Sequence, residues 1–486
     1  MSSINTKPVS NSISTLANVQ PPSYKGITKL DKSLFVRHFP IVCVFFPDAG
    51  KIGQFVKDHK KDILRYPRIP FIVKLDETTN NIKRSEKNKE LKAVVLTEKL
   101  KDISTVEDIL SPEAINDIKS FQGEFRNYDL TLDYSYWRSD EILKAILPEN
   151  FNEEVPSGFT KTGHIAHLNL KEEYKPYGEL IGQVILDKNP SVKTVVDKLD
   201  SIDTTFRTFK MKVIAGEDNF LVEQKESDCI FKFDFSKVYW NSRLSTEHGR
   251  LINEFKTNEA VCDVMAGVGP FAIPAGKKRC LVFANDLNPE SYKYLEINVK
   301  GNKVQNFVKY FNTDGREFIK KSPRLLQEFS ENSKNGEIEI LSNKRMKIDG
   351  VKTDKRIITK FKIPTFFSQY VMNLPDSAIN FIDSYVGLFS NSFSGLSKEE
   401  VQNLPGYKLP IVNFHHFEKY SHEEDPQPTE EELHKRVHAK MTNVLNYEVQ
   451  FEKISFHLVR MVAPTKPMYC VSFELPEELA FQSASN

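Results

Sequence analysis

Apolar runs that end in glycine, asparagine, aspartate or proline recur along the C-terminal half of the chain. They begin after about residue 236 and read VCDVMAG, LVFANDLNP, FVKYFNTDG, YVMNLPDS and LPIVNFHHF. Most are followed by a stretch with helical periodicity, and strands that alternate with helices are typical of a parallel sheet covered on both faces. The pattern predicts an α/β domain over residues 236–486, built as a Rossmann-like doubly wound sheet.

The rest of the chain predicts smaller domains beside this sheet. Residues 27–150 mix strand-like and helical stretches, and residues 151–235 are β-rich with at least one helix, so two smaller α+β N-terminal domains are expected. The Ser/Asn-rich start predicts a flexible tail over 1–26, and a polar segment at about 323–362 predicts a surface insertion. The last two apolar runs, SFHLVRMVAP and MYCVSFEL, predict a terminal antiparallel hairpin.

Composition limits the class of protein. Of the 486 residues 27% are charged, and the mean hydropathy is −0.43. The longest apolar runs fall short of the roughly 18 residues that a membrane helix needs, so we expect a soluble protein without a membrane partner. The net charge of +1 creates no global field for nucleic acid, which leaves such binding to local patches.

The cysteines indicate the compartment. Five cysteines are scattered without a CxxC pair, and each lies in or beside an apolar run. This is typical of buried free thiols in a reducing compartment and not of a disulfide framework or a zinc site. We expect a protein of the cytoplasm and nucleus, and the mitochondrial matrix stays open because no acid precedes Asp31. The absence of coiled-coil heptads favours a monomer.

A glycine turn follows the first of the C-terminal strands. In DVMAGVGPFAIPAGKK the strand ends before Gly267 and Gly269, where the backbone can approach a ligand closely. Seventeen residues beyond Gly269 the next strand ends in Asp286 and Leu287, and a carboxylate there can accept both hydroxyls of a ribose. The Gly-x-Gly-x-x-Ala spacing also fits a dinucleotide fingerprint, so the turn alone leaves NAD and S-adenosylmethionine open.

Three further features favour S-adenosylmethionine. Asp263 lies on the strand four residues before the first glycine, where it can reach the cationic amino-acid end of this cofactor. The third strand ends before Asp314 and Gly315, and the acid can accept the adenine amino group. The terminal hairpin is the antiparallel ending that class I methyltransferase sheets show. Together they predict a class I S-adenosylmethionine-dependent methyltransferase fold without a metal ligand set.

Longer stretches of the chain resemble one enzyme family. They include TGHIAHLNL, FDFSKVYWNSRLSTEH, DVMAGVGPFAIPAGKK, ANDLNPESYKYL, DGREF and NLP, and the similarity runs from LRYPRIP to MVAPTKPMYC. These stretches resemble the eukaryotic/archaeal tRNA (guanine(37)-N1)-methyltransferase family. The resemblance implies metal-free, S-adenosylmethionine-dependent methylation of the guanine just 3′ of the anticodon, a modification that suppresses frameshifting. It also implies that residues 27–150 touch the outer corner of the tRNA.

The candidate base lies on a helix that NSRLSTEHGRLINEF predicts, with Ser242 near its N-cap. On spacing alone, Arg243 and Glu247 form a surface i,i+4 pair worth roughly 0.2–0.5 kcal/mol. The resemblance instead makes Glu247 the general base, oriented by Arg243. It also places His248 in the cofactor pocket and Arg207 near the target base, at O6. A base for guanine N1 would gain from a raised pKa in a partly desolvated pocket.

The fourth strand ends in Asn373-Leu374-Pro375, and the proline stops the sheet ladder. Guanine N1 bears a proton, so methylating it needs a base and a partner for the charge that develops on O6. Enzymes that methylate exocyclic amino groups end this strand in Asn/Asp-Pro-Pro-aromatic. We expect the corner to be adapted here to a flipped guanine of the anticodon loop, with Asn373 donating to O6 or holding the cofactor side and Pro375 fixing its direction.

Two other functions stay open. The related wybutosine-pathway transferase moves the aminocarboxypropyl arm of the same cofactor onto tRNA, although NLP at the fourth strand disfavours it. The mass added to the tRNA separates these two activities. A non-catalytic tRNA-binding protein of the same fold is the other alternative, and failure to bind S-adenosylmethionine would favour it.

Overall fold

The computed structural model describes residues 16–75, 91–151, 155–202, 206, 208–348 and 351–482. The chain divides into two compact units. The first comprises Met1–Phe159, Leu168–Asp197 and Val213–Glu217, and the second comprises Thr160–His167, Lys198–Lys212 and Asp218–Asn486. The predicted middle domain, 151–235, is therefore shared out between the two units.

The elements before residue 236 are mainly short strands and helices. In chain order they are β1 (Arg37–Phe45), α1 (Gly50–Asp58), β2 (Ile72–Lys74), β3 (Lys92–Val95), α2 (Val106–Ile109), α3 (Pro112–Ser120), β4 (Glu124–Leu132), α4 (Ser139–Ile146), β5 (Thr160–Thr162), β6 (Ile165–Leu168), α5 (Gly178–Lys188), β7 (Thr194–Ile202), β8 (Phe209–Gly216), β9 (Leu221–Glu226) and β10 (Cys229–Asp234). In the first unit the strands pair antiparallel in the order β2-β3-β1-β4. Helices α1 and α3 bury Phe55 and Ile118 against Val42 and Val44 of this sheet.

Part of the predicted flexible tail packs on the first unit. The N–H of Tyr24 donates to the carbonyl of Ala145 at 2.9 Å, and the N–H of Gly26 donates to the carbonyl of Ile146 at 2.7 Å. The side chain of Leu16 is also buried. The prediction therefore does not hold for residues 16–26, because their backbone donors find acceptors at the end of α4. Residues 1–15 lie outside the described residues.

The remaining elements build the larger, second unit. In chain order they are α6 (Ser245–Glu254), β11 (Ala260–Asp263), α7 (Ala272–Lys277), β12 (Leu281–Asn285), α8 (Pro289–Gly301), β13 (Val308–Phe311), α9 (Gly315–Glu331), β14 (Glu337–Ile348), β15 (Val351–Lys362), β16 (Phe367–Met372), α10 (Leu388–Ser392), α11 (Lys398–Gln402), β17 (Ile411–Phe417), α12 (Glu430–Leu445), β18 (Ile454–Ala463), β19 (Lys466–Glu474) and α13 (Glu477–Ala480). Short 3₁₀ helices occur along the whole chain, at Leu16–Asn18, Lys32–Leu34, Ile103–Thr105, Glu149–Phe151, Glu172–Tyr177, Ser242–Leu244, Lys334–Gly336, Ala378–Tyr385 and Phe451–Lys453.

Seven strands of the second unit form one sheet in the order β13-β12-β11-β16-β17-β19-β18. The first five are parallel, and β19 runs antiparallel to both β17 and β18. Strands β11, β12 and β16 are buried along their whole length, as expected when both faces of a parallel sheet are covered. The predicted doubly wound sheet and terminal hairpin are confirmed. The strand order reverses at β11, and such sheets bind ligands outside the carboxyl ends of the strands at that point.

The predicted insertion at about 323–362 contains two different elements. Residues up to Glu331 continue α9, in which Pro323 is tolerated and Leu326 is fully buried. Strands β14 and β15 then pair as an antiparallel hairpin. The insertion is therefore shorter than predicted, because the apolar face of α9 is part of the core. Among the described residues no helix has the length and apolarity that a membrane span requires.

The predicted state of the cysteines is confirmed. All five are buried and free: Cys43, Cys229, Cys262, Cys280 and Cys470. Burial raises the pKa of Cys43 and of Cys280 to about 11, so both thiols stay protonated at neutral pH. They act as small apolar core residues.

Candidate active site

Two glycines shape the turn after β11. Gly267 (φ +55°) and Gly269 (φ +100°) adopt left-handed backbone conformations that favour glycine. A Cβ on Gly269 would lie 2.6 Å from Cγ1 of Ile273, whereas a Cβ on Gly267 would meet no atom within 4 Å. Gly269 is therefore required by packing, and Gly267 faces open space at the carboxyl edge of the sheet.

Asp286, directly after β12, ties this turn to the next strand. Its Oδ2 accepts a hydrogen bond from the N–H of Gly267 at 2.8 Å, and its Oδ1 accepts one from the N–H of Asn288 at 2.9 Å. Burial raises the pKa of Asp286, and these two amides partly offset the effect. The carboxylate is thus fixed beside the glycine turn, where the sequence predicts a ribose-binding acid.

Asp314 follows β13 and begins α9. Its Oδ1 accepts hydrogen bonds from the N–H groups of Arg316 and Glu317, at 2.9 and 3.3 Å, so the carboxylate caps the helix. The fully buried side chain of Asn285 donates to backbone carbonyls just beyond both β11 and β13, at 3.1 and 3.0 Å. One amide therefore holds the ends of three adjacent strands together.

Asp263, the last residue of β11, is the third carboxylate and is fully buried. Neither of its oxygens has a hydrogen-bond partner in the described part of the chain. Burial, followed by the negative charge of Asp286, raises the pKa of Asp263 to about 8, while His415 acts in the opposite direction. A buried carboxylate without donors is costly, so this position suits a cationic ligand that completes it.

The strand ends open into one cleft, with an empty volume of about 850 Å³ that includes its solvent-open part. Five of the predicted cofactor residues line it: Gly267, Asp286, Leu287, Asp314 and Gly315. The side chain of Leu287 is 51% exposed, although it is apolar. The cleft thus combines carboxylates with an apolar surface, which is the composition that a nucleoside requires.

The corner after β16 borders the same cleft through Asn373 and Pro375. The carbonyl of Leu374 accepts from the N–H of Ala378 at 2.7 Å, and the carbonyl of Pro375 accepts from the N–H of Phe417 at 2.9 Å. The second bond attaches the corner to the end of β17. Oδ1 of Asn373 is buried and has no partner among the described residues, so it is available to a ligand.

Glu247 lies on α6, and its side chain is 2% exposed and is not part of the cleft wall. Nε and Nη2 of Arg250 donate to its Oε2 and Oε1 at 2.7 and 2.8 Å, and Nε2 of His415 lies 2.9 Å from Oε1. Nε2 of His457 lies 3.5 Å from Oε2. Burial alone would raise the pKa of Glu247, but Arg250 and His415 outweigh it and lower the pKa to about 2. The expected raised pKa is therefore not found.

The contact of Arg243 differs from the expected one. Its Nη2 donates to Oγ1 of Thr160 at 3.0 Å, and its side chain is exposed. Arg243 belongs to a 3₁₀ turn whose N-cap is Asn241, and α6 starts only after Leu244, so Ser242 is not the cap. The continuous α-helical ridge that an i,i+4 pair needs is not formed. Arg250, three residues after Glu247, occupies that carboxylate instead.

His248 and Arg207 complete the predicted set. Nδ1 of His248 lies 2.6 Å from Oε1 of Glu226, and both side chains are buried. Its ring packs edge-on against Phe271, with 4.8 Å between centroids, and the residue is not part of the cleft wall. Its contact with the cofactor pocket is therefore indirect, through the turn that carries Phe271. Arg207 lies outside the described residues.

Glu247, His415 and Cys470 are also a group of potential metal ligands, with ligand atoms within 4.8 Å of one another. Arg250 donates to both oxygens of Glu247, so a cation in this group would meet the guanidinium charge. Within the described residues the group is therefore better explained as an ion-pair network than as a metal centre.

Arg250 and His415 are absent from the sequence-based predictions. Arg250 has a usable signal, because residues three apart on a helix are neighbours. His415 stands out only as a polar residue in the apolar run IVNFHHF, and its contact with Glu247 spans 168 residues. Such a contact has no local signature in the sequence.

Comparisons with known proteins agree with this geometry. A family model described as the TRM5/TYW2 methyltransferase domain matches residues 222–326, and one described as the TYW2 N-terminal domain matches residues 139–219. The chain is 50% identical over 474 residues to the tRNA (guanine(37)-N(1))-methyltransferase of Candida albicans, which covers 96% of this chain and 100% of the relative. It is 48% identical over 478 residues to that of Saccharomyces cerevisiae, which covers 94% of each chain.

Two solved structures share the fold. The crystal structure of Trm5b from Pyrococcus abyssi gives a TM-score of 0.50 at 20% identity and covers 90% of this chain and 99% of that one. The complex of aTrm5 with tRNALeu gives a TM-score of 0.52 at 16% identity and covers 90% and 100%. At these identities the likeness concerns the fold.

The sheet order and the carboxylate-lined cleft at its carboxyl edge define an S-adenosylmethionine-dependent methyltransferase. The full-length similarity is more specific. The chain belongs to the tRNA (guanine(37)-N(1))-methyltransferase family, and its activity is the methylation of N1 of guanine 37 in tRNA.

Proposed function

We propose that the cleft holds S-adenosylmethionine and that Glu247 is the general base when N1 of guanine 37 is methylated. The observation that carries the cofactor assignment is the convergence of Asp263, Asp286 and Asp314 at neighbouring strand ends, with both oxygens of Asp263 buried and without a donor. A ligand with an ammonium group, ribose hydroxyls and an adenine amino group complements these three acids in that order. When bound, S-adenosylmethionine supplies the electrophilic methyl group.

Each acid has capacity left for this ligand. Asp286 and Asp314 accept backbone amides, but a carboxylate offers about four acceptor sites, so hydroxyl or amino donors can be added. Asp263 gains the donors that it lacks. The exposed side chain of Leu287 offers an apolar surface to the adenine ring, and Gly315 keeps the wall next to Asp314 narrow.

The base step follows from the chemistry of guanine. N1 of the neutral ring carries a proton, and the new N1–carbon bond forms as that proton passes to a carboxylate oxygen of Glu247. Glu247 is ionised in this structure, since Arg250 and His415 hold it so. Because its carboxylate is also outside the cleft wall, we propose that N1–H of the flipped guanine replaces one of the Arg250 contacts. Losing that donor raises the basicity of Glu247 as the substrate arrives.

The developing charge on O6 needs a donor. The amide of Asn373 lines the cleft on a corner that Pro375 and the end of β17 fix, and its amide group can donate to O6. We propose Arg207 as a second donor at O6 from the sequence resemblance. Arg243 is exposed near Thr160 and has its charge directed to the surface of the second unit, which suits contact with the tRNA backbone.

The tRNA contacts and the cellular role are also proposed. We infer that residues 27–150 touch the outer corner of the tRNA, because exposed Lys57, Lys60, Lys61 and Arg65 follow one another on and after α1. We expect the enzyme to work as a monomer and without a metal. A methyl group on N1 blocks the pairing edge of base 37, which supports its role in keeping the reading frame.

Product mapping tests the reaction most simply. Incubation with unmodified tRNA and methyl-labelled S-adenosylmethionine, followed by nuclease digestion, should place one methyl group on N1 of guanine 37. Addition of the larger aminocarboxypropyl arm would support the wybutosine-pathway alternative. Tight tRNA binding with no bound S-adenosylmethionine would support a non-catalytic protein.

A further inference from the structure

The base at position 247 has two strong contacts of different origin. Arg250 comes from the same helix, α6, and its side chain is 25% exposed. His415 comes from β17 and is fully buried, with Nε2 2.9 Å from Oε1 of Glu247. Contacts within one helix move with that helix, whereas a contact to the sheet fixes the helix relative to the cleft.

The position of His415 in the sheet makes this contact useful. Phe414 of β17 pairs with Met372, the last residue of β16, so His415 lies level with Asn373 at the corner of the cleft. Among the described contacts of Glu247, those of His415 are the ones that connect α6 to a parallel strand of the sheet. The other strand contact, from His457 on β18, is longer at 3.5 Å and comes from the terminal hairpin.

We propose that His415 is a positioning residue that holds Glu247 through Nε2–H···Oε1 and sets where and in which protonation state the base meets guanine N1. This inference rests on the proposed role of Glu247. It assigns to His415 the orienting task that the sequence resemblance gives to Arg243, whose guanidinium is bonded to Thr160. His415 touches neither proton donor nor methyl donor, so its effect passes through Glu247.

The groups around the pair decide its charge. Arg250 and His457 face Glu247, while Cys470 lies opposite His415 on β19 and Asp263 on β11 acts on the imidazole. Burial would lower the pKa of His415, but Cys470 and Glu247 outweigh it and raise the pKa. Nδ1 of His415 is buried without a partner among the described residues. At neutral pH the pair is therefore an imidazolium with a carboxylate, and removing the imidazole raises the pKa of Glu247.

The test compares His415→Leu with His415→Gln. Glutamine keeps an N–H donor of similar reach but carries no charge, and leucine has neither. We measure single-turnover rates from pH 5 to 9 at saturating tRNA and S-adenosylmethionine. His415→Leu should lower the rate about tenfold to a hundredfold and move the acidic limb of the pH profile upward by about one unit. His415→Gln should restore most of the rate and keep the shifted limb, with cofactor affinity unchanged in both.

His416→Leu is the matched control, because His416 is the next residue of β17, is also buried, and contacts Glu418 instead of Glu247. A merely structural effect would lower the rate and the melting temperature of both leucine variants without moving the pH limb, and that result would overturn the inference. If His415→Leu does not fold, an unshifted limb in His415→Gln overturns it. A wild-type rate in Glu247→Gln would instead remove the base assignment, whereas a slow Glu247→Gln beside a normal His415→Leu removes this inference alone.

Discussion

Asp263 is the residue at which stability and function oppose each other most clearly. It ends β11, both of its oxygens are buried without donors among the described residues, and burial with the charge of Asp286 raises its pKa to about 8. The unfolded chain ionises this group near 3.8. Between these two pH values the folded protein keeps a proton that the unfolded chain has lost. The free energy of unfolding therefore falls as the pH rises from about 4 to 8.

Asp263→Asn should separate the two properties. The amide keeps the shape and removes the buried charge, so the melting temperature of the free protein should rise by at least about 2 °C, and by more at pH 8 than at pH 5. S-adenosylmethionine should bind at least tenfold more weakly, because its ammonium loses the carboxylate. Thermal melts at both pH values and a cofactor titration check this. A lower melting temperature with unchanged cofactor affinity would contradict the account of this residue.

At the scale of elements, the turn after β11 shows that two glycines in one motif serve different purposes. Gly269→Ala places a Cβ 2.6 Å from Ile273, and Gly267→Ala places one in open space on the cleft wall. Both add the strain of a left-handed residue, roughly 1–2 kcal/mol. We expect Gly269→Ala to lower the melting temperature clearly more than Gly267→Ala, and Gly267→Ala to weaken cofactor binding at a small cost in stability. Equal effects of both variants on both measurements would argue against this division.

The elements also show which features a sequence can reveal. The strands that end in Asp263, Asp286, Asp314 and Asn373 follow from apolar runs with polar ends, because carboxyl ends of parallel strands meet at one edge. The network around Glu247 could not be predicted in this way. A 3₁₀ turn precedes α6 and removes the expected pairing with Arg243, and such a one-residue change in helix start leaves no mark in the apolar period.

At the scale of the whole molecule, recognition of tRNA should use both units. The basic residues after α1 lie in the first unit, and the cleft lies in the second. If the first unit binds the outer corner of the tRNA, its contribution is mainly electrostatic and depends on salt. An isolated anticodon stem-loop, which has no outer corner, should not sense it.

Lys60→Ala/Lys61→Ala should therefore weaken binding of full-length tRNA several-fold and reduce the salt dependence of its affinity. The affinity for the anticodon stem-loop should not change. Lys293→Ala/Lys300→Ala is a control that removes the same charge from α8, where both lysines already contact glutamates. Equal weakening by the two double variants would show that net charge, and not a site on the first unit, accounts for the effect.

The proton acceptor for guanine N1 decides the whole account, and single-turnover kinetics of Glu247→Gln measure it most directly. Glu254→Gln is the matched control, because Glu254 lies on the same helix and contacts Arg250 from the exposed side. With saturating S-adenosylmethionine and tRNA, Glu247→Gln should slow methyl transfer at least a hundredfold while cofactor affinity stays within about twofold, and Glu254→Gln should react at the wild-type rate. Methyl transfer by Glu247→Gln at the wild-type rate would contradict the account.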